Sequence, residues 1–321
     1  RSPPSIQRVT LSDIDPEDPI FDSIKEDYPG FEEWLLSHPD RSAWIHESPD
    51  GTLGAILILK YPDTEPLGEN EELPKKPRLK ISTLKVGATS QGSKIGELFI
   101  WLAVNRAIEQ HQEEVYLTRY EQENDYLVDL ISQYGFTHEA SEADGESIFL
   151  KRLVPGPGDD PEPIEMSKRF YPSLKDGENI QKFLVPIRPI WHDRLFTSSS
   201  ERQSRLEEYL GQFLAEGNAI KKAFLSKSRT NKISPGDLLL FYRSQDAQAV
   251  TSIGVCERVI NNMDDPDDIH RVVGRRSVFS DEEISERASP NTMVILFRWH
   301  FDLENPVDYH DLLEEEIISA P

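Results

Sequence analysis

A glycine-bearing strand-to-helix junction, Val86-Gly87-Ala88-Thr89-Ser90-Gln91-Gly92-Ser93-Lys94-Ile95-Gly96-Glu97, limits this chain more than any other segment. Leu79 to Val86 reads as a strand. Apolar residues at Leu98, Ile100, Trp101, Leu102 and Val104 then read as a helix opening near Lys94. Such a junction points backbone N–H groups and the positive end of a helix dipole into one concavity, suited to a phosphate or pyrophosphate. Glycine is needed where a Cβ would block the anion or where φ is unusual, and Gly92 and Gly96 supply it. The spacing is not that of a nucleotide P-loop, and no Gly-x-Gly-x-x-Gly is present.

The flanking segments extend the pattern. Ile6 to Thr10 is a short strand, and Phe21 to Leu36 reads as two short helices broken by Pro29-Gly30. Ser42–His46 and Gly54–Lys60 are strands joined by the turn Ser48-Pro49-Asp50-Gly51. Tyr61 to Pro77, acidic and proline-bearing, is a long surface hairpin loop on the substrate side. Glu114 to Tyr120 is a further strand. Asn124 offers an N-cap to a helix carrying Tyr126, Leu127, Leu130, Ile131 and Tyr134, which Gly135 closes before the strand at Phe136.

With Gln91-Gly92-x-x-Ile95-Gly96 and Asn124-x10-Gly135-Phe136 in this order, residues 5–153 resemble the GNAT superfamily of acyl-CoA N-acyltransferases. The resemblance implies a mixed sheet flanked by helices and a cofactor that is acetyl-CoA or another acyl-CoA. It implies that the amides of Gln91, Gly92, Ser93, Lys94, Ile95, Gly96 and Glu97 hold the pyrophosphate, with Leu84, Val86 and Asn124 completing the cofactor set. Lys94 stands where the family often has glycine. The family often takes its leaving-group proton from a tyrosine seven residues after the asparagine, which here is Ile131. Tyr120 and Tyr126 are the substitutes, Tyr134 being a core residue, and Glu121 or Glu123 is the base. The expected catalytic residues are therefore Tyr120, Glu121 and Tyr126. The acceptor amine is expected where the fourth and fifth strands part, near Lys85 and Tyr120.

Pro155-Gly156-Pro157-Gly158-Asp159-Asp160-Pro161-Glu162-Pro163 cannot form regular structure and reads as a linker. The expected division is 1–154, a linker at 155–165, and 166–321. At 321 residues the chain can bury two ordinary cores. Its net charge of −23 argues against whole-surface binding to nucleic acid or anionic membrane, but leaves room for a local basic patch. Cys256 is the single cysteine, which excludes an intrachain disulfide and makes a cytoplasmic protein the simplest reading. No apolar run approaches the roughly 20 residues of a membrane span. Eight histidines without metal-ligand spacing give no metal site. The chain begins at Arg1, so a missing upstream domain is expected.

In the second half, Phe183 begins a strand that ends in a His192-Asp193-Arg194 turn. Leu206 to Ala215 and Asn218 to Arg229 read as helices. Pro235-Gly236-Asp237 then leads into a strand, Leu238 to Ser244, followed by strands at 249–257 and 294–299. Helix, Pro-Gly-Asp, apolar strand and Tyr-Arg-Ser together resemble the PUA-like superfamily, including ASCH and EVE domains, over residues 166–300. The resemblance implies a small β-barrel that binds RNA or a modified base in DNA, with Gly236 and Asp237 structural. Residues 218–232 hold Lys221, Lys222, Lys227, Arg229 and Lys232 and no acid, a local reversal of charge suited to phosphate contacts. Arg271, Arg275 and Arg276 form a second candidate. Trp191 and Tyr242 are candidate base-stacking residues, Arg243 joins the nucleic-acid set, and Phe224 reads as core.

The fold expected is α+β, a GNAT-like mixed sheet followed by a PUA-like barrel. Three functions follow. The first is an N-acetyltransferase whose second domain recruits RNA, a tRNA among the candidates, or a nucleic-acid-associated substrate. The second is a non-catalytic acyl-CoA-binding module fused to a nucleic-acid reader, which by analogy belongs to a toxin–antitoxin or defence system with a protein partner. The third is an enzyme acting on protein alone, with the barrel as scaffold.

Overall fold

The computed structural model describes residues 5–196, 213–214, 220–228 and 230–317. The chain forms two compact units. Of the described residues, the first comprises 5–156 with 168–170 and 213–214, and the second 157–167, 171–196, 220–228 and 230–317.

The first unit is an α+β mixed sheet. Its elements are β1 (Ser5–Thr10), α1 (Asp22–Asp27), α2 (Phe31–Leu36), β2 (Ser42–Glu47), β3 (Leu53–Asp63) and β4 (Arg78–Val86), then α3 (Ile95–Glu109), β5 (Glu114–Arg119), α4 (Tyr126–Ser132), β6 (Thr137–Ser141) and β7 (Ser147–Arg152). The strand order is β6-β7-β5-β4-β3-β2-β1. All neighbours are antiparallel except β4 and β5, which are parallel and are joined by the crossover helix α3. That crossover is what a parallel pair requires. α3 is apolar on nearly every side, from Ile95 through Val104, and is correspondingly buried.

Two features of the sequence reading change here. The N-cap of α4 is Asp125, not Asn124: the Asp125 carboxylate accepts from Leu127 N at 3.0 Å and Val128 N at 3.4 Å. Asn124 takes a left-handed φ of +56° one residue earlier, a conformation that asparagine tolerates. The long 61–77 segment begins later than expected, because β3 runs on to Asp63. Its Leu67 and Leu73 pair with each other and pack against Tyr116, Ala140, Ile148 and Leu150, so the loop covers the β5–β7 part of the sheet.

The second unit follows α5 (Pro163–Arg169) with β8 (Lys182–Ile187) and α6 (Pro189–Leu195). β9 (Phe213–Leu214) belongs to the first unit, where it pairs with β1. Then come β10 (Lys221–Ser226), β11 (Leu238–Arg243), β12 (Ala249–Ile260), α7 (Pro266–Val273), α8 (Asp281–Arg287), β13 (Met293–Asp308) and α9 (Tyr309–Glu314). The five-stranded sheet has the order β10-β13-β12-β11-β8. Three register shifts between β12 and β13 bend these long strands and curl the sheet. Phe196, Phe241 and Phe297 pack inside it, with Phe241 4.9 Å from Phe196 and 4.8 Å from Phe297 between ring centroids. The Pro-Gly-Asp turn is as expected: Gly236 has φ +94°, and Asp237 accepts from Ser234 N at 2.7 Å.

The segment read as a basic helix at 218–229 is instead the strand β10, paired in register with Met293–Arg298 of β13. Its residues Lys222 to Leu225 are all buried, and a strand covered on both faces shows no alternation that a sequence could reveal. The His-Asp-Arg turn is a helix, α6, with Pro189 preset for the first helical position. The helix expected at 206–215 and the residue Arg229 lie outside the described residues, apart from Phe213 and Leu214.

Candidate functional site

β4 and β5 are in register only at Leu79–Val115 and Lys80–Tyr116, near the start of both strands. Beyond those pairs the strands part. On its other side β4 carries a bulge: Ile58 faces Thr83 and Leu59 faces Ile81, so Ser82 is the extra residue. A cleft of about 580 Å³ opens where the strands separate, lined also by the α1–α2 corner, with Tyr28, Trp34, Lys85, Arg119 and Glu146 among its walls. Leu84 lines it as well, whereas Val86 is buried beneath the junction loop.

The loop that follows is shaped by two left-handed residues, Gly92 at φ +73° and Lys94 at φ +70°. Two of the amides expected to hold the pyrophosphate are engaged within the loop itself, Gln91 N donating to Gly87 O at 3.1 Å and Ser93 N to Ser90 O at 3.2 Å. Lys94 is the residue before the first turn of α3, whose leading N–H groups lack acceptors within the helix. Glycine is required at 96 for a different reason from that expected. A Cβ there would lie 2.5 Å from Leu130 Cδ2, so Gly96 lets α3 pack on α4. Ile95 is wholly buried and offers only its backbone, and Gln91 is exposed at the loop tip. Glu97 is buried in the first turn and is neutralised by Lys94, whose Nζ lies 3.2 Å from Glu97 Oε2.

The expected catalytic residues sit around the cleft rather than among its lining. Tyr120 donates to Asp144 Oδ2 at 2.6 Å, and this bond pushes its hydroxyl up to about 12. Glu121 is exposed and accepts from Ser147 Oγ at 2.7 Å. Tyr126 points its hydroxyl toward Gly96, 3.6 Å from where a Cβ would stand. Ile131 and Tyr134 are core. What the structure brings into the cleft is a pair the sequence did not mark: Tyr28 Oη donates to Glu146 Oε1. Burial, and then this bond, raise the Tyr28 hydroxyl well above the ordinary range, so it stays protonated. The Tyr28 ring lies 5.5 Å from that of Tyr120, which ties the two tyrosines into one wall.

The second unit has a separate cavity of about 710 Å³, bounded by Arg188, Trp191, Lys227, Glu283, Glu286 and Arg287. Arg287 and Arg194 lie 4.9 Å and 5.0 Å from the Trp191 ring, and the buried Trp191 Nε1 has no acceptor among the described residues. Lys227 is exposed here and Lys221 half-buried. The other expected nucleic-acid residues are drawn inward. Lys222 is buried, its Nζ 5.2 Å from the Trp299 ring centroid, and belongs to the core rather than to a phosphate-facing surface. Arg243 is committed to Asp246, to Asp193 and, at 3.1 Å, to His192 Nδ1, while His192 Nε2 bonds Thr251 Oγ1 at 2.7 Å. Tyr242 packs with Val250, Ile253 and Leu312. Arg271 pairs with Asp268 and Arg276 with Glu257. Phe224 is core. Among the described residues no cluster of three or more His, Cys, Asp or Glu could hold a metal ion. No helix there is long and apolar enough to cross a membrane.

Neither a family model nor a curated protein sequence matches the chain. Solved structures similar to parts of it include both ASCH proteins and acetyltransferases. The ASCH protein from Zymomonas mobilis is 12% identical, covering 44% of this chain and 82% of that one at a TM-score of 0.31. A chain of the NatC complex bound to Gag peptide and CoA is 18% identical, covering 46% and 99% at 0.31. Aminoglycoside 6'-acetyltransferase type Ii is 14% identical, covering 47% and 99% at 0.33.

Proposed function

We propose that the first unit binds an acyl-CoA, acetyl-CoA foremost, and transfers its acyl group to an amine, while the second unit recruits a nucleic acid or a nucleic-acid-associated substrate. The observation that carries this reading is the parting of β4 and β5, with β4 leading through the Gly92–Lys94 loop into the start of α3. The first turn of α3 suits a pyrophosphate, and the opening suits an extended arm lying between two strands.

When bound, acyl-CoA supplies a thioester carbonyl open to attack by a neutral amine. Glu146 accepts the amine proton as the new C–N bond forms and the C–S bond breaks. Tyr28 stabilises the Glu146 carboxylate and keeps it aimed into the cleft. Main-chain groups around the Ser82 bulge are suited to hydrogen-bond the carbonyl oxygen as negative charge develops there. Ile131 has no proton to give, so water is the proton source for the departing sulfur. In the second unit, Arg188 and Lys227 are suited to phosphate contacts at the rim of a cavity where Trp191 already packs with Arg194, Arg287 and Phe279.

Acetyl-CoA at about 100 times its Kd should add roughly 2.7 kcal/mol of stability, visible as a rise of several degrees in Tm. Thiol release on adding amines then separates turnover from binding alone. No rise in Tm sinks the acyl-CoA reading. A rise without thiol release supports the second reading, a non-catalytic acyl-CoA-sensing module joined to a nucleic-acid reader, which the buried Ile131 favours. RNA binding by the full chain that weakens steeply with salt and depends on Lys227 supports the role of the second unit.

A further inference from the structure

Charge in the cleft runs against charge in the chain. The whole protein carries 58 acids against 35 Lys and Arg. The cleft walls reverse this: Arg41, Lys60, Lys80, Lys85 and Arg119 face two acids, Asp27 and Glu146. Three of those cations are already engaged. Arg119 bonds Asp125, Lys60 Nζ lies 3.5 Å from Asp63, and Lys80 Nζ lies 5.7 Å over the Tyr116 ring. Glu146 is held by Tyr28.

Lys85 and Arg41 differ. Lys85 is half-buried and donates to Ser23 Oγ at 2.7 Å, with no carboxylate partner among the described residues. Burial, reinforced by Arg119, lowers its ammonium from the usual lysine range, and Asp125 and Asp27, neither within ion-pair distance, offset this only in part. Arg41 lies 5.3 Å over the Trp34 ring and likewise has no carboxylate partner among the described residues. A cation drawn out of water with no anion in direct contact is costly, and a ligand that brings one into contact offsets the cost.

We infer that the acceptor is an amine carrying its own anionic group, a carboxylate or a phosphate, which Lys85 holds and Arg41 favours through its field. This assignment rests on the acyltransferase reading. It fits the chemistry in two ways. Holding the anion at a fixed point orients the amine for attack. The surplus of positive charge also disfavours the ammonium form of the acceptor and so favours the neutral nucleophile.

The test is steady-state kinetics of the full chain with acetyl-CoA and matched acceptors: glycine against glycinamide, and phosphoethanolamine against ethanolamine. The anionic member of each pair should be favoured by about tenfold or more in kcat/KM, through KM. Lys85→Gln should collapse that ratio toward one, and Lys85→Arg should keep it. Binding of acetyl-CoA to each variant, read as a Tm rise, shows that the fold is intact. Equal use of both members, preference for the neutral one, or no turnover with any of the four while acetyl-CoA still raises Tm overturns the anionic acceptor. Loss of kcat on both members in Lys85→Arg overturns it too, because Lys85 would then be moving protons. A preference for succinyl-CoA over acetyl-CoA with the neutral amines would place the anion on the donor and overturn it likewise. If acetyl-CoA gives no Tm rise with the unaltered protein, the acyltransferase reading itself falls.

Discussion

Lys94 starts α3 in a left-handed conformation and reaches forward three residues, placing its ammonium 3.2 Å from the buried carboxylate of Glu97. A lysine at this left-handed position carries a backbone cost of roughly 1–2 kcal/mol and supplies a counter-charge to Glu97 inside the fold.

Lys94→Gly should therefore destabilise the first unit, even though glycine suits the backbone. The relief of φ is about 1 kcal/mol, and removing a cation paired with a buried carboxylate costs more than that. The double variant Lys94→Gly/Glu97→Gln should recover stability to the original level or above. Urea unfolding of the three proteins checks the order, and a single variant more stable than the starting protein would contradict it.

Glu146→Gln should lower the rate of thiol release by roughly 10²- to 10⁴-fold, the usual worth of a general base. Tyr28→Phe removes the donor that steadies Glu146 and should cost less, about tenfold. Tyr120→Phe should change the rate little, since the Tyr120 hydroxyl is engaged with Asp144. A larger loss for Tyr120→Phe than for Glu146→Gln would move the proton transfer to the other side of the wall.

Glu257 links acid to stability in the second unit. Burial alone would raise its carboxyl, but Arg298 and Arg276, each 2.7 Å away, outweigh burial and hold it below the ordinary range. A depressed carboxylate stabilises the fold fully above its unfolded pKa of about 4.3, and that stability is lost as pH falls through the folded value. Glu257→Gln should thus cost about 3–5 kcal/mol near pH 7, because Arg298 stays buried without its anion. The gap between the two proteins should close below about pH 4 in urea titrations. A gap that is constant from pH 7 to pH 3 would show that packing, not charge, accounts for the loss.

Cys256 is wholly buried in β12, and burial, with Asp237 and Glu257 adding to it, pushes its thiol up to about 12. Only the thiolate reacts quickly, so the native protein should resist thiol reagents at neutral pH and react after denaturation. Rapid labelling of the folded chain would place Cys256 at the surface.

The first unit was largely legible in the sequence because its signals are local. Glycines at 92 and 135 mark left-handed turns, α4 keeps helical spacing, and α3, apolar on nearly every side, is marked by the length of its run. The parting of β4 and β5 near Lys85 was an expectation of the GNAT resemblance, not of any residue pattern in the strands themselves. The α4 cap was missed by one residue because Asn124 and Asp125 both carry capping side chains, and only the backbone decides between them. β10 was misread because Lys221-Lys222-Ala223-Phe224-Leu225 is covered on both faces, so its charge pattern says nothing about exposure. Tyr28 and Glu146 were invisible as a pair for a plainer reason. They lie 118 positions apart, and one more glutamate in so acidic a chain carries no mark.

Two register pairs are all that join β4 to β5, so the sheet of the first unit is close to being two leaves on a short hinge. The continuity that strand pairing withholds there comes from α3, which crosses from one leaf to the other. A molecule that fills the gap with an extended, hydrogen-bonding arm is then more than cargo. It would replace the missing ladder and become, while it stayed, a temporary strand of the protein's own sheet.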